Sequence, residues 1–218
     1  MGVRKIQPNF RSITGLNGAA DQEFESSLEA DLMTLQQFDP EVDHFESQPL
    51  TISYVDQVGM ARTYTPDLLV RYKPDAEKSP LLCEVKYRDE YRKKISELRP
   101  KFKAAVHYAK ANGMRFRVMT DREIRTPYLA NARFLLRFRN IETEPEQSRA
   151  VLEAMRQDGK LTPASLLASI SQERMVQAAY LPVLWHLMAN FVIQADLSET
   201  LGMESRIWLA GNGEGHGD

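Results

Sequence analysis

In this chain of 218 residues the side chains best suited to chemistry fall in two short runs. They are Thr65-Pro66-Asp67 and Cys83-Glu84-Val85-Lys86, with Glu84 seventeen residues after Asp67. Both runs read as β-strand. Side chains alternate along a strand, so Glu84 and Lys86 project from one face and Val85 from the other. If the Asp67 strand lies antiparallel beside them, two carboxylates and one ammonium converge. Oxygen ligands of this kind, with a backbone carbonyl such as that of Val85, suit a hard cation, Mg²⁺ with Mn²⁺ as a substitute. Lys86 beside that ion can orient or help deprotonate a water. The metal lowers the water's pKa and offsets charge growing on a phosphate oxygen. Those are the parts of phosphodiester hydrolysis. The spacing by itself is loose, and alternating charge on a strand ordinarily marks a solvated face. Here, however, Glu84 and Lys86 interrupt an apolar run, Leu81-Leu82-Cys83-x-Val85, that would otherwise be buried.

The elements that must position these groups follow from periodicity. From Asp21, Phe24, Leu28, Leu32 and Leu35 recur at helical spacing with Met33 beside them, and Asp39-Pro40 ends that helix. It offers a third carboxylate: Glu25 and Glu29 lie one turn apart, with Glu23 and Asp31 close by, and position alone does not choose among them. Strands are expected at Pro49–Val55, Arg62–Tyr72 and Leu81–Tyr87, the first two joined by a Gly-containing turn at 56–60. A basic amphipathic helix is expected over about Ile95–Asn112, closed by Gly113. Arg115–Met119 reads as a short strand, Thr120-Asp121 as the cap of a brief helix, and Arg133–Arg139 as another strand with Phe134, Leu136 and Phe138 on one side. This order indicates a mixed α/β domain. Beyond it, residues 146–190 are helical in pattern, with a break at Gly159 and a Thr162-Pro163 helix start. Phe191–Gln194 and Ile207–Leu209 then form a possible hairpin, and three helices with a hairpin is the outline of a winged helix. We therefore expect an arm at 1–20, a catalytic domain at 21–140, a small C-terminal domain at 141–210 and a disordered tail at 211–218.

Charge is distributed unevenly. The formal net of −2 hides sixteen basic against five acidic residues in 86–139, a local excess of +11. The flanks at 1–85 and 140–218 carry −7 and −6. Arg88, Arg92, Lys93, Lys94, Arg99, Lys101 and Lys103, with Lys110, follow Lys86 directly, where cations would hold DNA phosphates. The acidic C-terminal module suits a protein partner better than DNA, and its Met175, Tyr180, Leu184, Trp185 and Met188 suit a core or docking surface. The single cysteine, Cys83, excludes an intramolecular disulfide and a Cys-based zinc site. It accords with a reducing cytoplasm, as does the lack of a secretory leader or membrane-length apolar run. The four histidines are scattered, and His186 reads as a core residue.

The Asp67/Glu84-Val85-Lys86 arrangement is the PD-(D/E)xK pattern of restriction-endonuclease-like nucleases. The longer series Phe24–Leu32, Phe38-Asp39-Pro40, Gln48-Pro49-Leu50, Tyr64–Val70, Glu84-Val85-Lys86 and Phe116–Ile124 resembles the TnsA family. These are endonuclease subunits of heteromeric bacterial transposases, including those of CRISPR-associated transposons. The resemblance implies a restriction-endonuclease-like α/β core, a mixed central sheet flanked by helices, followed by the winged-helix-like domain. It gives Glu29 the place of the family's helical catalytic glutamate and matches Asp67 and Lys86 to its Asp and Lys. Glu84 stands where some members carry Gln. It further implies Mg²⁺-dependent cutting of the 5′ strand at transposon ends, a DDE-type transposase partner, TnsB, and an ATPase regulator, TnsC. A stand-alone restriction or repair nuclease of the same fold, or a DNA-binding scaffold without activity, remain the alternatives at this point.

Overall fold

A computed structural model of the chain describes residues 19–157 and 161–211, with side chains from Ser27 onward. The expected arm as far as residue 18, the break at Gly159, the tail beyond 211 and the side chains of Glu23 and Glu25 lie outside the described residues, while residues 19 and 20, expected in the arm, already belong to the first helix. The first helix, α1 (Ala19–Phe38), ends one residue before Asp39-Pro40. Four strands form a mixed sheet in the order β1-β4-β5-β6: β1 (Val42–Ser47), β4 (Leu68–Tyr72), β5 (Leu81–Lys86) and β6 (Arg115–Thr120). β1 and β5 run antiparallel to β4, and β6 runs parallel to β5. The parallel crossover is α2 (Arg88–Ala111). Between β1 and β4 a separate hairpin, β2 (Ile52–Val55) and β3 (Ala61–Tyr64), packs on α2. Its turn is built by Asp56, whose Oδ1 accepts from the Val58 and Met60 N–H groups, while Gly59 takes the left-handed φ of +83°.

The layering follows from alternation along the strands. Leu68, Val70, Cys83 and Val85 pack with Leu28 and Leu32 of α1 and with Ile124 of the short helix α3 (Asp121–Ile124). Leu69 and Leu82 face the opposite way, onto Ala105 of α2 and onto Ile52 and Tyr64 of the hairpin. A sheet covered on both faces needs consecutive apolar residues, which is why Leu68-Leu69-Val70 and Leu81-Leu82-Cys83 do not alternate with polar ones. The result is a mixed α/β core followed by a mostly helical C-terminal region.

Several elements differ from the sequence expectation. β1 was not anticipated: it is a sheet edge with only Val42 and Phe45 apolar and a register shift between Val42 and His44, so it lacks clean alternation. The expected strand Arg62–Tyr72 is two strands, parted at Thr65-Pro66-Asp67. α2 begins at Arg88, seven residues before the expected start, because its first turn is made of charged residues that carry no apolar period. Arg133–Arg139 is not a strand. Helix α4 (Pro127–Leu136) opens with Pro127 at its first position after Thr126 and runs through Leu136. The apparent alternation of Phe134 and Phe138 is an i,i+4 spacing, with ring centroids 5.2 Å apart.

The C-terminal region has three helices, α5 (Pro145–Gln157), α6 (Pro163–Ile170) and α7 (Arg174–Ala189), and then the antiparallel pair β7 (Ile193–Ala195) and β8 (Ile207–Leu209). Leu161 makes a single antiparallel bridge to Ile207, and three helices with a hairpin is the expected winged-helix-like order. Thr162 caps α6 through the Ser165 N–H. Its core holds Val151, Leu166, Leu184, Trp185, Ile193 and Ile207, and also Ala132 and Leu135 of α4 and Phe38 at the end of α1. The expected division at 140/141 thus has α4 on its N-terminal side while α4 packs into the C-terminal core. Asn131, 4% exposed, fastens α4 to the β7–β8 connection by donating to the Leu197 and Glu199 carbonyls and accepting from the Leu201 N–H.

Arg139 ties the two parts together. Its guanidinium donates to the Gln37 and Phe38 carbonyls at the end of α1 and to the Ala189 carbonyl at the end of α7, and stacks on Phe38 and Phe191. One planar cation therefore satisfies terminal carbonyls of two helices and complements both dipoles. Lysine cannot reproduce that fork. Arg139→Lys is expected to lower unfolding stability by roughly 1–3 kcal/mol, seen as a lower urea midpoint. A wild-type midpoint would show that the fork is dispensable.

Candidate active site

The site is built where β4 and β5 part. Their ladder pairs Leu68 with Cys83, Leu69 with Leu82 and Val70 with Leu81, whereas β5 pairs with β6 along its whole length. One step further along the β4 register, Asp67 stands opposite Glu84. There the Asp67 N–H still donates to the Cys83 carbonyl at 3.1 Å, and beyond it the backbone ladder stops. The Asp67 carboxylate takes over, accepting from the Val85 N–H at 2.6 Å through Oδ2. Pro66, which has no N–H to offer a ladder, marks the point of divergence. A side-chain oxygen thus replaces a strand carbonyl, and the other oxygen is left at the fork.

Glu84 is 2% exposed, an unusual place for a carboxylate. Its two oxygens have separate partners. Oε2 accepts from the Tyr64 hydroxyl at 2.6 Å, and Oε1 accepts from Lys101 Nζ at 2.8 Å, with Lys86 Nζ at 3.8 Å. Burial, followed by the adjoining Glu84 charge, holds the Tyr64 phenol in its protonated, donating form. Cys83, on the opposite strand face, is buried among apolar side chains that push its thiol up to about 12, so it packs rather than reacts.

Lys101 belongs to this group and was not found there by sequence. Counted among cations facing DNA, it instead turns inward, its side chain 18% exposed and its ammonium 4.6 Å from the Tyr64 ring centroid and 5.2 Å from that of Phe102. The signal that could have drawn attention to it is Pro100 inside a helix. Proline has no N–H to return to the carbonyl four residues back, here Ser96. That carbonyl is satisfied by the Gln57 side-chain amide from the β2–β3 turn, so the hairpin carrying Tyr64 and the helix carrying Lys101 are fastened at this point.

Of the helical carboxylates, Asp31 is structural: buried, it accepts from Arg125 at 2.7 Å and from Arg133, holding α1 to the segment after α3 and to α4. Glu29 is half-buried, and its charge reaches Asp67. The remaining basic residues vary in placement. Arg92, Lys93, Arg99 and Lys103 are exposed on α2, and Lys94 pairs with Glu90 one turn back at 2.8 Å. Arg99 and Lys103 sit together on two adjoining grooves of about 670 and 460 Å³ beside α2. Arg88 is half-buried at the start of α2, its backbone N–H on Asp121 at 2.7 Å and its Nε buried without a hydrogen-bond partner.

Charge at the fork is unbalanced toward the negative. The Asp67 carboxyl is pushed up to about 8, first by burial, then by the charges of Glu84 and Glu29, against the opposing Val85 N–H and Lys86. Glu84, Glu29 and Lys86 thus each act on Asp67. Among the described residues no three acidic, His or Cys side chains are already gathered as a metal cage. Mg²⁺ needs only one or two carboxylates and keeps its waters, so the donor set at the fork fits it. Because folding raises the Asp67 pKa, the folded chain binds more protons than the unfolded one between about pH 4 and 8, and this group's contribution to stability falls as pH rises through that window. Asp67→Asn removes the charge and keeps an acceptor for the Val85 N–H. In EDTA at pH 8 it is expected to melt a few degrees above wild type, the difference shrinking toward pH 4. A variant no more stable at pH 8 than at pH 4, relative to wild type, would contradict this.

Two family models match the chain at these places. The model for the TnsA-like endonuclease N-terminal domain covers residues 39–121, which hold Asp67, Glu84 and Lys86, and that for the TnsA endonuclease C-terminal domain covers residues 123–197. No curated protein matches the sequence closely enough for comparison. With both domain models matched in order over 39–197, on an α/β nuclease core and a helical C-terminal region, the chain belongs to the TnsA family of transposase endonuclease subunits.

Proposed function

We propose that this chain hydrolyses the 5′ strand at transposon ends as the Mg²⁺-dependent endonuclease subunit of a heteromeric transposase. The observation that carries this reading is the β4–β5 register, which sets Asp67 opposite Glu84 at the point where the strands part. Asp67 and Glu84, with Glu29 and the Val85 carbonyl, would hold the ion. When bound, the ion supplies a water of lowered pKa and a counter-charge for the phosphate. Lys86, 14% exposed at the end of β5, is the group that orients the water and helps take its proton. Arg99 and Lys103, with Arg92 and Lys93, would hold the DNA backbone along α2 and orient the scissile phosphate toward the fork.

The finer parts of the reading concern partners. DNA at transposon ends, a DDE transposase of the TnsB kind for the 3′ strands and a TnsC-type ATPase regulator are the expected associates. The part at 21–140 would carry chemistry, and the acidic part at 141–210 would dock protein. A cytoplasmic setting belongs to the same reading; no helix among the described residues is long and apolar enough to cross a membrane.

A strand-specific cleavage assay on duplex carrying a transposon end, with both partner proteins and Mg²⁺, tests this. Asp67→Ala and Lys86→Ala are each expected to lose 5′-strand cutting by about 100-fold or more while still assembling with the partners. Undiminished cutting by either would remove that residue from the site. Sequence-specific cleavage by the chain alone would favour a stand-alone nuclease instead. For DNA contact, the Arg99→Ala, Lys103→Ala double variant is expected to reduce the slope of log affinity against log salt by about 2. An unchanged slope would place the DNA elsewhere.

A further inference from the structure

We infer that Lys101 and Tyr64 are positioning residues that hold the Glu84 carboxylate in one orientation, Lys101 as its nearest counter-charge and Tyr64 as its second anchor. This rests on the nuclease reading of the fork. Glu84 is buried, and a buried carboxylate needs both charge compensation and hydrogen bonds. Two ammonium groups lie within reach of it. Lys101 Nζ contacts Oε1 at 2.8 Å, whereas Lys86 Nζ stands off at 3.8 Å from the same oxygen. The closer lysine neutralises Glu84, and the farther one is not drawn fully onto it.

The geometry fixes direction as well as charge. Tyr64 holds Oε2 from the hairpin side and Lys101 holds Oε1 from the α2 side, so two donors on two elements set the plane of the carboxylate. Lys101 is held in turn by the faces of the Tyr64 and Phe102 rings, which attract its ammonium away from solvent. The Gln57 contact with the Ser96 carbonyl, freed by Pro100, locks those two elements together one turn from Lys101. Without Lys101, the ammonium left beside Oε1 is that of Lys86. The carboxylate would rotate toward it and lose its own direction. Without the Tyr64 hydroxyl, Oε2 loses its anchor and the plane is free to turn about Lys101.

The experiment compares Tyr64→Phe and Lys101→Met with wild type and Asp67→Ala. Mn²⁺ binding is read by electron paramagnetic resonance on the protein without DNA. Strand cleavage is read at saturating Mn²⁺ with the partner proteins, below each variant's melting temperature. Tyr64→Phe keeps the ring under Lys101 and removes only the donor. Both positioning variants are expected to bind Mn²⁺ more weakly and to cleave about 10–100-fold more slowly. A purely structural role would lower the melting temperature and leave both readings on folded protein unchanged. Should Lys101→Met not fold, Tyr64→Phe with the same two readings decides. Wild-type Mn²⁺ affinity and cleavage in Tyr64→Phe and Lys101→Met, with cleavage lost in Asp67→Ala, would overturn this inference and spare the site. Cleavage retained in Asp67→Ala would overturn the site reading itself.

Discussion

Burying Glu84 is the constraint on which the arrangement depends. A carboxylate in the middle of an apolar strand is tolerated only where charge and hydrogen bonds are brought to it. Here they come from opposite directions: a tyrosine at the end of the β2–β3 hairpin and a lysine just past a proline in α2. The hairpin and helix therefore cannot be placed independently. Their junction, where Gln57 satisfies the carbonyl that Pro100 leaves open, is what keeps both donors aimed at one residue. The aromatic group around Phe102, in contact with Tyr64, Tyr91 and Phe116, packs the same corner.

The fork between β4 and β5 is the second half of the device. Continuing the ladder through Asp67 would have buried its side chain in a regular sheet. Pro66 and the end of pairing at Cys83 instead let the carboxylate stand in for a backbone acceptor. Burial and like charges then make that group reluctant to ionise. Like charges gathered in a buried fork are what a divalent cation would offset, and they set this place apart from a solvated strand face.

The structure also divides the basic residues by job. Net charge along the chain shows that cations are concentrated after Lys86 but not which of them face outward. Arg125 and Arg133 serve Asp31, Arg139 serves two helix ends, Lys101 serves Glu84, and Arg99 and Lys103 remain at the open grooves. Part of the basic excess after Lys86 is therefore internal bracing between α1, the sheet and the C-terminal helices.

The sequence by itself determined the elements with strong periods or caps: α1 up to Asp39-Pro40, the β5 strand, Gly113 after α2, the Thr162-Pro163 start of α6 and the three-helix-and-hairpin order. It also pointed to Asp67, Glu84 and Lys86 as the candidate chemical group, because alternation along two strands is a local property that a short run of residues fixes. Where local signals were weak or double it failed: the polar edge strand β1, and the Phe134/Phe138 pair whose spacing fits strand and helix alike. Only the tertiary structure decided that Asp67 lies opposite Glu84, that Asp31 belongs to two arginines while the charge of Glu29 reaches the site, and that Lys101 points inward. Each of these is a contact between residues distant in the chain. Which partner a charged side chain finds is set by which buried group lacks one, and burial exists only once the layers have packed.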